Sequence, residues 1–100
     1  MLKYALWVRL EAKPGQEKAV ADFLNTGLQL AMQETRTPVW FALKLGPATF
    51  GVFDAFADEA GRQAHLAGPI AQALMAKASE LLVKAPAIES VEVLGAKVAA

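Results

Sequence analysis

Residues Tyr4 to Glu11 alternate, with Tyr4, Leu6, Val8 and Leu10 on one side and Ala5, Trp7, Arg9 and Glu11 on the other, and this period of two predicts a β-strand. Lys13-Pro14-Gly15 breaks it. From Gln16 to Glu34 the period becomes helical, placing Val20, Phe23, Leu24, Gly27 and Ala31 on one stripe and Asp22, Asn25, Thr26, Gln29 and Gln33 mostly off it. Gly27 on that stripe allows close approach to a sheet. Thr35-Arg36-Thr37-Pro38 ends the helix, because the residue before a proline avoids helical angles. Val39 to Leu45 and Thr49 to Phe56 then predict two strands, and the short turn around Gly46-Pro47-Ala48 makes them an antiparallel hairpin.

Asp58 predicts the N-cap of a short helix reaching Leu66, without a capping box because Gly61 holds the third helical position. Gly68-Pro69 interrupts that helix, and the proline suits the first turn of a renewed one lined by Ile70, Leu74, Ala78 and Leu81. Ala85-Pro86 stops it, and Ile88 to Val98 predicts the last strand, with Glu89, Glu92 and Lys97 breaking the apolar pattern.

The predicted order is β-α-β-β-α-β, that of the ferredoxin-like α+β fold: a four-stranded antiparallel sheet with both helices on one face. The other face is left bare. Trp7, Trp40 or Phe41, and Phe53 point at it according to register, and the two hairpin strands are apolar on both alternating faces. Burying that face against a second copy by two-fold symmetry is the economical solution, so a homodimer is expected.

Composition narrows the classes. One hundred residues make one domain, residues 1–100, and 55% hydrophobic against 20% charged residues makes a chain too apolar for disorder. Ten basic and ten acidic residues leave no net charge and no basic cluster, which argues against nucleic acid or an anionic membrane surface as a partner. No apolar run reaches the roughly 20 residues that span a bilayer, and the start MLKYALWVRLEA does not read as a signal peptide, so a cytoplasmic location is expected. With no cysteine, thiolate metal sites, iron–sulfur clusters and a cysteine nucleophile are excluded. A glycine-rich phosphate loop, an HExxH motif and carboxylates at metal-ligand spacing are also lacking. The expectation is no metal and no cofactor.

The PGQE helix start and the segment GVFDAFADEAGRQAHLAGPIAQAL resemble the antibiotic biosynthesis monooxygenase superfamily of dimeric α/β barrels, and the similarity spans nearly the whole chain. Its specific part is an acidic residue late in the third strand, an Asp/Ser-Glu helix start and a histidine near that helix's end, here Asp54, Asp58-Glu59 and His65. The resemblance implies a homodimer with a pocket between sheet and helices. For some members it implies oxygenation of quinols or phenols by dioxygen without metal, flavin or haem. Haem-degrading members carry a tryptophan at the position of His65 and an iron-ligating histidine at that of Met75; neither matches.

His65, the only histidine, is then a candidate general base or hydrogen-bond donor, since a quinol must lose a proton before it passes an electron to dioxygen. The alternative is a partly exposed helix histidine without a role. Asp54, between Val52 and Phe56 on one strand face, is the candidate that orients His65; the alternative is pairing with Arg62, Arg9 or a strand neighbour. Trp7, Trp40, Phe53 and Phe56 are candidate walls of a pocket for a small aromatic substrate, or else core and interface. The chain thus reads as a cofactor-independent monooxygenase of a small quinol or phenol, or as a non-catalytic dimeric barrel that binds a small apolar ligand.

Overall fold

The computed structural model describes residues 1–98. Its elements are β1 (Tyr4–Glu11), α1 (Glu17–Ala31), β2 (Val39–Lys44), β3 (Thr49–Phe56), α2 (Glu59–Leu66), α3 (Pro69–Leu81) and β4 (Ala87–Glu92). The four strands form one antiparallel sheet in the order β2-β3-β1-β4. The sheet of a single chain is open, with β2 and β4 as its edges. This is the ferredoxin-like α+β arrangement, its second crossover carrying two helices because Gly68 and Pro69 divide it.

Local sequence explains the joints. Gly15, at φ 85°, turns the chain between β1 and α1 in a conformation that residues with a Cβ avoid. The Asp58 side chain accepts from the Gly61 N–H at 2.7 Å, capping α2 as expected. Pro69 opens α3, where its missing N–H costs nothing. α1 stops at Ala31, three residues before the expected end, as the Gln33 and Glu34 N–H groups bond to Leu30 and Ala31 in tighter turns.

The last strand is shorter than Ile88 to Val98. It ends at Glu92, opposite Tyr4, because β1 begins there and offers no further partner; the Val93 N–H makes one last bond to the Lys3 carbonyl at 2.8 Å.

Register settles the faces. Tyr4, Leu6, Val8 and Leu10 of β1 lie beside Phe56, Asp54, Val52 and Phe50 of β3, and Trp40 lies beside Asp54. The core between these residues and Val20, Leu24, Leu81 and Leu82 is buried, each such side chain contributing about 1.5–3 kcal/mol. Gly27 meets the Trp40 indole: a Cβ there would sit 3.4 Å from the ring. Trp40 is therefore on the helix side, and its neighbour Phe41, 55% exposed, takes the open face with Trp7 and Phe53. The Trp7 ring lies across Gly51, where an added Cβ would come within 2.5 Å of Cη2.

The helices do not cover the whole sheet. α1 packs on β2 and α3, and α2 packs on β1, β3 and α3. The helix-side residues of β4 stay open, Ile88 being 45% exposed. No helix among the described residues is long and apolar enough to cross a membrane.

The Trp7–Gly51 contact yields a stability prediction. Gly51→Val should force the indole aside and destabilise the protein by about 1–3 kcal/mol, the usual cost of overpacking, read from urea midpoints together with tryptophan fluorescence. Gly46→Ala, at a position with nothing within 4 Å, is the control and should change little. Matching midpoints for the two variants would mean that the indole does not occupy that space in solution.

Candidate active site

Three chain segments converge on one imidazole. His65 sits in the last turn of α2, where the helix carbonyls favour a cation. Asp54 comes from late in β3 on the helix side, and Glu34 comes from the turn after α1. His65 Nε2 lies 2.9 Å from Asp54 Oδ2, and Nδ1 lies 2.8 Å from Glu34 Oε1. Thr37 Oγ1 donates to the same Glu34 oxygen at 2.7 Å. Asp54 is 1% exposed and His65 7%, and the Phe56 ring packs against the imidazole with centroids 5.5 Å apart.

An ionised carboxylate only accepts, so two of them around one ring call for a hydrogen on each nitrogen and hold the imidazolium form. Burial pushes the His65 pKa down, but the hydrogen bonds to Asp54 and Glu34 and their charges outweigh it, leaving the pKa above the ordinary histidine value. The two carboxylates flank the ring on opposite nitrogens, which does not let all three groups share one ion. Among the described residues no group of three or more His, Cys, Asp or Glu side chains is placed to hold a metal.

Three buried side-chain atoms among the described residues lack a hydrogen-bond partner: Asp54 Oδ1, Trp40 Nε1 and Glu34 Oε2. Asp54 and Trp40 border an inner cavity of about 50 Å³, otherwise apolar apart from His65, with Leu6, Val52, Ile70 and Leu74 among its walls. A groove of about 360 Å³ lies outside it, and Leu66, Ala71, Leu74 and Ile88 border both spaces. That boundary is the seam between α3 and the uncovered side of β4. On the other side of His65, a surface depression of about 290 Å³ is lined by Glu34, Arg36, Thr37, Gly61 and Gly68.

The structure thus brings His65, Asp54 and Trp40 to the cavity, while Phe56, expected as a pocket wall, packs against the imidazole outside the cavity lining. Trp7 and Phe53 lie on the opposite face of the sheet, away from the cavity. Neither alternative partner of Asp54 reaches it: Arg9 pairs with Glu11 at 3.0 Å, and Arg62 pairs with Glu59 and donates to the Ala5 and Val91 carbonyls at 3.2 Å. Sequence reasoning missed Glu34 and Thr37. The signal was there: Glu34 continues the buried stripe of Gly27 and Ala31 at helical spacing, and a carboxylate on such a stripe needs a partner.

No protein-family model matches the chain, and no curated protein matches it. Solved structures do. The NE2512 protein of unknown function from Nitrosomonas europaea is 68% identical, covering 100% of this chain and 97% of that one, at a TM-score of 0.97. A structure named "Putative antibiotic biosynthesis monooxygenase", also from Nitrosomonas europaea, superposes at a TM-score of 0.81 with 13% identity, over 92% of this chain and 90% of that one. A like-named protein of Deinococcus radiodurans gives 0.78 at 19% identity, over 97% and 98%. The fold is therefore the one that these two structures share. Within that fold, the chain belongs to one family with NE2512.

The imidazole array generates a pH prediction. Because the folded pKa of His65 is raised, its stabilising contribution is fully present below the unfolded value of about 6.5 and is lost as pH rises through the folded value. The melting temperature should fall across that upper window, and His65→Gln should flatten the decline. A melting temperature that rises over the same window would contradict the charged array.

Proposed function

We propose that the protein is a cofactor-independent monooxygenase of a small aromatic quinol or phenol, working as a cytoplasmic homodimer. One observation carries the reading: Asp54 and Trp40, each with an unpartnered buried polar atom, line one largely apolar cavity beside His65. A single ligand hydroxyl would satisfy both, donating to Asp54 Oδ1 and accepting from Trp40 Nε1, while apolar walls hold the ring.

In this reading Asp54 touches the substrate and His65 supports it with charge. His65 has both nitrogens engaged and does not act as the proton acceptor. The hydroxyl proton passes to Asp54 Oδ1, and the imidazolium offsets the resulting phenolate. The anion gives one electron to dioxygen, and the two radicals join as a carbon peroxide at a ring C–H position. Asp54 returns its proton to the peroxide. Loss of the ring hydrogen with O–O cleavage then leaves a carbonyl and releases water, so phenol plus dioxygen gives quinone plus water.

An apolar cavity of about 150 Å³ takes a benzene ring, and the inner space here is about 50 Å³. Leu66 and Leu74 must therefore swing to join it to the outer groove before a ring can enter. That small volume, with Trp40 on Gly27 and Phe56 on His65, is what favours the second reading, a non-catalytic dimeric barrel that binds a smaller apolar ligand.

Oxygen uptake with a panel of dihydroxy-aromatics tests the first reading. Uptake should persist with chelator and without added flavin or nicotinamide, and Asp54→Asn should slow it by about 10² to 10⁴, the usual effect of losing a positioned proton acceptor. His65→Gln should slow it as well. No uptake across the panel, combined with xenon-induced NMR shifts of the Ile70 and Leu74 methyl groups that line the cavity, would favour the binding protein.

The open face supports the dimer. Phe41 and Leu43 are exposed there beside Trp7 and Phe53, and the segment from Val93 to Val98 borders the same surface. Sedimentation equilibrium should give twice the 10.6 kDa chain mass, and Phe41→Glu should lower it toward one chain. A folded wild-type monomer at micromolar concentration would rule the assembly out.

A further inference from the structure

Asp54 and Glu34 hold opposite nitrogens of one imidazole but border different spaces. Asp54 lines the inner cavity and Glu34 does not; Glu34 lines the surface depression and Asp54 does not. A ligand in the cavity therefore meets one carboxylate of the pair, and the other acts only through His65, its Oε1 2.8 Å from Nδ1. Two donors converge on that oxygen, the imidazole N–H and the Thr37 hydroxyl at 2.7 Å, an arrangement that suits an ionised carboxylate.

The charged groups around the imidazole are Asp54 from β3, Glu34 and Arg36 from the segment between α1 and β2, and Asp58 at the start of α2. Arg36 pairs with Asp58 at 3.6 Å, and Glu59 and Arg62 of α2 pair with each other. The residues of α1, β1, β2, β4 and α3 that border the two spaces are uncharged. Among the described residues, His65 is thus the one cationic side chain that Glu34 pairs with.

We infer that Glu34 is a positioning residue, the fixed counter-charge that keeps His65 cationic while Asp54 holds the proton of a hydroxylated ligand. The inference rests on the reading that such a ligand loses its proton at Asp54.

Transfer of the ligand proton leaves the net charge of the site unchanged. Before it, Asp54 and Glu34 are anions, His65 is a cation and the ligand is neutral, a total of minus one. Afterwards Asp54 is neutral and the ligand is the anion, with the same total. The hold on the imidazolium is what changes. Asp54 no longer offers Nε2–H a charged acceptor, and at 7% exposure burial alone favours the neutral ring. The ligand's charge is a poor substitute, because both ring nitrogens are already engaged and that charge leaves with the electron passed to dioxygen. Glu34 is the contacting anion whose charge and place stay constant, so the imidazolium remains beside the cavity through the steps that need it.

His65 is the only histidine, so its ring nitrogens can be titrated by NMR without overlap. Asp54→Asn reproduces the neutral Asp54 of the protonated state and keeps an oxygen that accepts from Nε2–H. Its imidazole should titrate about 1–3 pH units above that of the double variant Asp54→Asn/Glu34→Gln, the usual effect of one contacting opposite charge. Should the double variant not fold, the same drop is expected between the wild type and Glu34→Gln. Coincident midpoints in the Asp54→Asn background, or in that second pair where it replaces the first, would overturn the inference.

4-Nitrophenol, too electron-poor to reduce dioxygen, probes the loaded site, because its phenolate is yellow. Removing a nearby anion by itself eases the ionisation of a bound phenol, whereas losing an imidazolium hinders it. Glu34→Gln should therefore raise the pH at which bound nitrophenol turns yellow, and a fall would reduce Glu34 to a nearby anion and overturn its role. If wild-type protein neither binds nitrophenol nor takes up oxygen with dihydroxy-aromatics, the ligand reading fails while the histidine titration still decides the role of Glu34. Brisk uptake with coincident midpoints would refute the counter-charge and leave the oxygenase reading standing.

Discussion

A cationic imidazole clasped by two carboxylates joins three parts of the chain that have no other reason to meet. Asp54 is a sheet residue, His65 ends a short helix, and Glu34 follows the long helix. Each is a poor core residue alone, because an unpaired buried charge costs several kcal/mol. Together they satisfy one another, and their removal from water makes the attraction stronger than a surface pair of the same length. This junction helps hold α2 over β3 and the path from α1 to β2, together with the Arg36–Asp58 pair and the Arg62 bonds to the Ala5 and Val91 carbonyls.

The surrounding packing protects it. Phe56 lies against the ring, and Trp40 reaches across to Gly27, bringing β2 against α1 beside the cavity. The unpartnered atoms of Asp54 and Trp40 then read as a compromise between stability and binding. A core selected for stability alone would pair them, whereas a site that discriminates hydroxylated ligands gains from leaving a donor and an acceptor waiting.

Much of the fold was legible because the period of two and the helical period are strong and the punctuation is chemically definite: Pro14-Gly15, Thr37-Pro38, Gly68-Pro69 and Ala85-Pro86. For Asp54 the sequence offered two partners, His65 or an arginine or strand neighbour, and did not choose between them. Three further things were not legible. The side on which Trp40 falls depends on register, and Trp40 and Phe41 are adjacent aromatics that fit either choice. The end of β4 depends on where its partner β1 begins, which no local pattern in residues 93–98 records. Glu34 looked like the polar tail of a helix, because its partner lies 31 residues away.

The seam over β4 has a consequence for motion. An edge strand that no helix covers, ending where its neighbour runs out, holds fewer buried contacts than the centre of the sheet and belongs to the part of a domain that opens at low free energy. Its carboxylates Glu89 and Glu92 discourage stray strand pairing while it does so. On the proposed reading, a ligand would enter as this margin breathes and Leu66 and Leu74 swing aside, so the stability of the sheet's outermost strand would bear on the rate of access.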